Sequence, residues 1–376
     1  MNVRPQLATL EHPIALSVSF NQDCSCFSVG CEDGFHVFST DPCQLHVTRV
    51  LKGGIDSATM LGRANFLALV GGGRSPKYAQ NKVIIWDDLK QKAVISLEFH
   101  SSIRAVRLSR NRIIVVLQAH VHVYAFSTPP TRLHVFETSD NPLGLVAMST
   151  RTLAFPGRTV GHVQLCDLAT GNVSIIPAHT SQLAALTIAQ NGDVIATASE
   201  KGTIMRLWNV QNCALITELR RGIDKAVIYS LAISPDSSRL AVVSDKNTLH
   251  IYSLPTRAAA AAAAAGSGGH RPSSPGAATG DNRKWSLLGK LPLLPKYFSS
   301  EWSAAQAVFE GAGKAIVGWP SDDSIVVISC GTKHGGAPRW EKFVLIEGLN
   351  GGQGGQGGAP GIECVREGWR RYLDNT

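Results

Sequence analysis

The chain is 376 residues long, 44% hydrophobic, and carries a formal net charge of +8. That apolar fraction supports a substantial core, whereas the longest uniform run, Ala258 to Ala265, falls far short of the roughly 20 residues a membrane-spanning helix needs. The positive excess favours an anionic partner (phospholipid, nucleic acid or acidic protein) without choosing among them.

At the amino terminus, Met1 to Glu11 shows no charged-then-apolar signal pattern, so the chain reads as soluble and intracellular. Eight cysteines at 24, 26, 31, 43, 166, 213, 330 and 364 form no CxxC pair. They read as reduced thiols in a cytosolic protein, with no metal or cofactor expected.

One phrase then recurs along the chain: a short apolar strand, a polar turn, and a second β-rich strand. Cys31-Glu32-Asp33-Gly34 leads to His36-Val37-Phe38. Further copies end at Ile84-Ile85-Trp86-Asp87, His122-Val123-Tyr124, Gln164-Leu165-Cys166-Asp167, Arg206-Leu207-Trp208 and His250-Ile251-Tyr252, with a weaker one at Lys342-Phe343-Val344. From Phe38 through Trp86, Tyr124, Cys166 and Trp208 to Tyr252 the gaps are 48, 38, 42, 42 and 44 residues, the period of a four-stranded propeller blade. The last gap, 92 residues, spans about two periods and marks an insertion in the sixth unit. The segments are rich in Val, Ile, Thr and aromatics and are broken by Gly, Asp and Asn, which opposes a helical reading. The expectation is an all-β, single-domain, WD-repeat-like seven-bladed β-propeller. Its blades fall near 14–50, 53–97, 101–139, 143–177, 181–218, 223–300 and 302–348.

No catalytic pattern stands out. The triple glycine at Gly71 lacks the spacing of a dinucleotide or P-loop motif. His120 and His122 alternate with valines as one strand face does, and no Ser, His and Asp arrangement can be singled out. A non-enzyme is expected. The charge is spread rather than striped and no nucleic-acid module is present, so a nucleic-acid partner is not expected.

Between Pro255 and Arg283 the composition turns to Ala, Gly, Ser and Pro, too poor in large apolar residues to offset its ordering entropy. An apolar and basic stretch follows, with Trp285, Leu287, Leu288, Leu291, Leu293 and Leu294 among Lys284, Lys290 and Lys296. Either these leucines return to the sheet core, or they insert into a bilayer while the lysines sit near anionic headgroups. Residues 255–297 are thus expected to be a disordered or membrane-inserting loop of blade six. The tract 350–361 reads as a flexible glycine-rich insertion.

The segment Leu219-Arg220-Arg221-Gly222 lies between the fifth and sixth units. Consecutive strand residues point to opposite faces, so two neighbouring guanidinium groups are expected to serve separate pockets. Ser199-Glu200-Lys201-Gly202-Thr203 with Arg206 precedes them, and Ser244-Asp245-Lys246-Asn247-Thr248 with His250 follows. Arg206 and His250 each stand two residues before their aromatic mark, so each arginine meets a similar donor set suited to phosphate. The competing reading pairs the arginines with Glu218, Asp224 or Asp245. A scaffold of purely protein-binding function, using Gly71 to Tyr78 or the run Arg104, Arg107, Arg110 and Arg112, is the alternative to lipid recognition.

Taken together, Leu219-Arg220-Arg221-Gly222, Ser234-Pro235-Asp236-Ser237-Ser238, Ala196 to Thr203, Asn81 to Leu89 and Leu294 to Ser300 resemble the PROPPIN family, autophagy-related propellers that bind phosphoinositides. Leucine before the arginines looks like the subgroup that pairs with a rod-shaped autophagy lipid-transfer protein. The resemblance implies recognition of phosphatidylinositol 3-phosphate and phosphatidylinositol 3,5-bisphosphate at two sites. The first would use His179, Ser199, Thr203, Arg206 and Arg220; the second would use Arg221, Ser244, Lys246, Thr248 and His250. It also implies a monomer in solution, peripheral on preautophagosomal, endosomal or vacuolar membranes, inserting the apolar loop near Trp285 to Leu294. Two departures from the pattern are the alanine and glycine expansion before that loop and Asn247 in place of the usual glycine.

Overall fold

A computed structural model describes residues 15–255, 301–332, 336–347 and 362–374. Every helix or strand assigned among them is a strand. The strands form seven sheets, each built on a four-stranded antiparallel meander, with one further short strand, Glu301–Trp302, added in parallel at the edge of the fifth. The sheets span 15–50, 55–98, 105–137, 147–176, 183–220, then 228–253 with 305–308, and 315–371.

The core explains why these strands read as nearly continuous apolar runs. Successive side chains point to opposite faces, and both faces of a blade are covered by neighbours. In the second sheet Leu67 and Leu69 pack toward the first, whereas Ala68 and Val70 pack toward the third. Seven buried clusters result, one between each pair of adjacent sheets, including one between the seventh and the first. The ring is closed, and the fold is a seven-bladed propeller.

Among the described residues, closure is made by side chains rather than by a shared strand. Trp340 Nε1 donates to the Thr40 carbonyl at 2.9 Å, and Arg370 Nη1 donates to that of Cys43 at 2.9 Å. Lys342 bridges Asp41 and Glu367, each at 2.8 Å. Tyr372, 3% exposed, meets Phe27 and Phe38 edge-on and donates to the Ser329 carbonyl.

The last two sheets extend beyond the expected 223–300 and 302–348. The outer strand of the sixth is Ala305–Val308, and the seventh ends with Ile362–Arg371. The tract 350–361 therefore joins the third and outer strands of the seventh sheet. It lies outside the described residues, as does the expected loop with Trp285, Leu287, Leu288, Leu291, Leu293 and Leu294.

Candidate functional site

The fifth sheet presents its two faces to the fourth and the sixth, and the paired arginines stand at its outer strand. Leu219 is fully buried in the cluster between the fifth and sixth sheets. Alternation turns Glu218 and Arg220 the other way, toward the fourth. Arg206, opposite Glu218 in register, confirms this by donating from Nη1 to the Ala178 carbonyl at 2.7 Å. Arg221, the next residue, returns to the side of the sixth sheet.

On the fourth-sheet side, His179 follows the strand Val173–Ile176, and its main-chain N donates to the Gly161 carbonyl. Its Nε2 lies 3.0 Å from Thr197 Oγ1, which also accepts from Trp208 Nε1 and is aligned to donate to the Arg206 carbonyl. A hydroxyl so engaged leaves its oxygen to accept, which assigns the proton of the ring to Nε2. Burial, then the charge of Arg206, pushes His179 down to about 4. Arg206 itself is tied by Nε to Glu218 at 2.7 Å. Ser199 and Thr203 lie on the adjoining turn, closed by the Gly202 N–H donating to the Ser199 carbonyl at 2.9 Å. Gly202 has φ +64°, and a Cβ there would collide with the Ala226 carbonyl oxygen. Only glycine meets both demands without strain.

On the sixth-sheet side, Arg221 is held by main-chain carbonyls. Nε donates to Gly202 at 2.8 Å, Nη2 donates to Asp224, and the Arg221 N–H donates to Thr203 at 3.0 Å. His250 Nε2 lies 3.1 Å from Thr248 Oγ1, Nδ1 lies 3.4 Å from Ser303 Oγ, and the ring stacks on Tyr252 at 6.4 Å. Burial, then the charge of Arg221, pushes His250 down to about 4. Ser244 is buried and accepts from the Lys246 N–H at 3.4 Å, while the Lys246 side chain is exposed. Asn247 takes the place of Gly202 in the equivalent turn, with φ +53° and its N–H donating to the Ser244 carbonyl. Asparagine tolerates this left-handed conformation, so the departure leaves the turn intact.

The structure thus gathers His179, Thr197 and Arg206 on one side and Arg221, Thr248 and His250 on the other. The equivalence of Arg206 and His250 is visible in register, opposite Thr197 and Val242 on the second strands. Of the carboxylates proposed to pair with the arginines, Glu218 holds Arg206, Asp245 accepts the Val227 N–H, and Asp224 offers Arg221 its carbonyl. The histidines add no positive charge near neutrality; they are neutral hydrogen-bonding groups because burial penalises their protonated form.

Sequence reasoning missed Glu301–Trp302, which pairs in parallel with the outer strand of the fifth sheet, placing Trp302 beside Arg220. Ser303 follows and reaches His250. These residues carry no repeat signal, and only the closing of the sixth sheet brings them between the two groups.

Seven sheets with repeated hydroxyl and basic sets around consecutive arginines define a WD-repeat-like binding propeller. Residues 15–268 match the family model described as PROPPIN, and the chain belongs to that family of autophagy-related, phosphoinositide-binding, non-enzymatic propellers. The SVP1-like protein 2 of Emericella nidulans is 47% identical over 84% of this chain and 99% of its own length. The SVP1-like protein 2 of Neurospora crassa is 42% identical over 98% of each chain. Among solved structures, Kluyveromyces lactis Hsv2 with complete loop 6CD covers 96% of this chain and 99% of its own, with TM-score 0.75 at 22% identity. A complex of KlAtg21 with the coiled-coil of AgAtg16 covers 95% of this chain and 99% of its own, with TM-score 0.67 at 19% identity.

Proposed function

We propose that this propeller is a peripheral membrane effector of autophagy that recognises phosphatidylinositol 3-phosphate and phosphatidylinositol 3,5-bisphosphate through two headgroup sites. The observation that supports the reading is that Arg220 ends the outer strand of the fifth sheet on the face alternation turns toward the fourth, while Arg221 stands near the neutral His250 on the side of the sixth. The first site comprises His179, Ser199, Thr203, Arg206 and Arg220; the second comprises Arg221, Ser244, Lys246, Thr248 and His250. A guanidinium supplies planar, charge-assisted hydrogen bonds to phosphate, and the hydroxyls and imidazoles supply short neutral ones.

Two modest sites on one bilayer reinforce each other through effective concentration. The loop with Trp285, Leu287, Leu288, Leu291, Leu293 and Leu294 belongs to the proposal on its apolar and basic sequence alone. The leucine of Leu219-Arg220-Arg221-Gly222 supports, as a further part of the proposal, a role in tethering an autophagy lipid-transfer protein to the forming autophagosome. A protein partner suits a fold seen in KlAtg21 with the AgAtg16 coiled-coil.

The test compares vesicles with and without phosphatidylinositol 3-phosphate at equal total charge. The parent is expected to sediment selectively with the phosphoinositide, and R220T/R221T is expected to lose that selectivity. Equal sedimentation of parent and variant removes the site assignment. Parent binding that follows charge alone favours the protein-binding scaffold.

A further inference from the structure

Three aliphatic side chains stand in solvent around the Arg221 group. Ile223 is 71% exposed, Val227 52% and Val308 66%. They come from separate parts of the chain. Ile223 and Val227 lie on the connection from the fifth to the sixth sheet, and Val308 ends the outer strand of the sixth, directly opposite Thr248. Opposite residues of an antiparallel pair share a face, so Val308 flanks Thr248 at the exposed margin of that face, outside the residues of the site itself.

The connection is clamped rather than loose. The Ala226 N–H donates to the Lys201 carbonyl, Arg221 grips Gly202 and Asp224, and Val227 and Asp245 exchange two hydrogen bonds at 3.0 Å each. Phe309 N–H donates to the Asn247 carbonyl, which fixes the Val308 side. The exposed aliphatics are thus held in place before any partner arrives, and little ordering entropy opposes their burial. Exposed Lys201, Lys225 and Lys246 stand among them; Glu200, Asp224 and Asp245 are exposed too, the last accepting the Val227 N–H.

We infer that Ile223, Val227 and Val308 form a collar that enters the interfacial layer of an anionic bilayer when a headgroup occupies the Arg221 site. The inference rests on the phosphoinositide reading above and deepens it: the site is built for a phosphate presented by a lipid surface rather than for a free one. Branched aliphatics with lysines at their margin match a boundary where acyl chains meet anionic headgroups. The collar is distinct from the stretch 285–294, so it acts even where that stretch is altered.

The experiment uses the full chain, the parent beside I223S/V227S/V308S and the apolar I223L/V227L/V308L. Each is measured against phosphatidylcholine vesicles containing a few per cent phosphatidylinositol 3-phosphate, and against the water-soluble dibutanoyl form of the same lipid. The serine variant is expected to bind vesicles about tenfold or more weakly, bind the soluble form as the parent does, and be rescued by the leucine variant. Unchanged vesicle binding overturns the collar, and so does a parallel loss toward both ligands, which makes these residues part of the pocket. A parent that binds neither ligand removes the phosphoinositide reading itself, and the collar with it.

Discussion

The phenol of Tyr252 donates a hydrogen bond to the main-chain carbonyl of Arg220 at 3.0 Å. It ties the aromatic mark of the sixth unit to the strand end that carries the two arginines. Tyr252 is 1% exposed, so this bond fixes the arginine backbone from within the core. Tyr252→Phe keeps the ring and removes the donor. The expected loss is about 1–2 kcal/mol, read as a lower urea midpoint at unchanged slope, together with weaker vesicle binding. An unchanged midpoint removes the anchoring role.

The turns of the fifth and sixth sheets differ in tolerance. Gly202→Ala strains a left-handed backbone and drives a methyl into the Ala226 carbonyl, displacing the connection that holds Arg221. A loss of more than about 1 kcal/mol is expected, with phosphoinositide binding impaired. Asn247→Gly, at the equivalent place, is expected to stay within about 0.5 kcal/mol of the parent. Thermal unfolding of both variants checks the contrast, and equal behaviour contradicts it.

Protonation of the buried imidazoles sets an acid limit. His179, His250 and His122 are each pushed down to about 4 by burial, against about 6.5 in an unfolded chain. As pH falls through 6.5 the unfolded chain takes up protons first. The stability contributed by neutral burial is complete above that value and is lost progressively toward about 4, by roughly 3 kcal/mol per ring at most. Urea midpoints measured from about pH 7 to about pH 4.5 are expected to fall. Adding soluble dibutanoyl phosphatidylinositol 3-phosphate is expected to raise the His179 and His250 midpoints in an NMR titration, because an adjacent anion favours the charged ring. Apo midpoints near 6.5 contradict the burial.

Ring closure depends on the carboxyl-terminal residues. Tyr372 packs edge-on against the stacked pair Phe27 and Phe38 of the first sheet while belonging to the end of the seventh. Tyr372→Ala is expected to cost about 3–5 kcal/mol, seen as a lowered melting temperature. Substitution of the exposed Leu89, remote from that contact, is expected to leave it unchanged.

The repeat was legible because its marks have a structural cause. Phe38, Trp86, Tyr124 and Trp208 each sit at an irregularity between the third and outer strands, at Val37/Phe38, Ile85/Trp86, Val123/Tyr124 and Leu207/Trp208. The place of Arg220 at the end of the outer strand, with Arg221 just beyond it, follows the boundary expected between the fifth and sixth units. The outer strand Ile362–Arg371 was hidden by the glycine tract before it and by its largely polar, exposed residues. Electrostatic state was hidden as well. His36 and His122 occupy the position equivalent to Arg206 and His250, yet His36 bonds Thr48 and His122 packs on Phe99. A basic residue at that place is therefore not diagnostic by itself. That Arg206 is held by Glu218, and that the histidines are neutral, follows from burial and cross-strand register, which letters alone do not reveal.

The most direct measurement is the number of soluble dibutanoyl phosphatidylinositol 3-phosphate molecules bound per chain, by calorimetry and native mass spectrometry, in the parent, R220T and R221T. Two are expected for the parent and one for each variant, with R220T sparing the His250 resonance shift and R221T sparing that of His179. A single bound headgroup in the parent, or loss of the same histidine shift in both variants, contradicts the assignment of the two arginines to separate pockets.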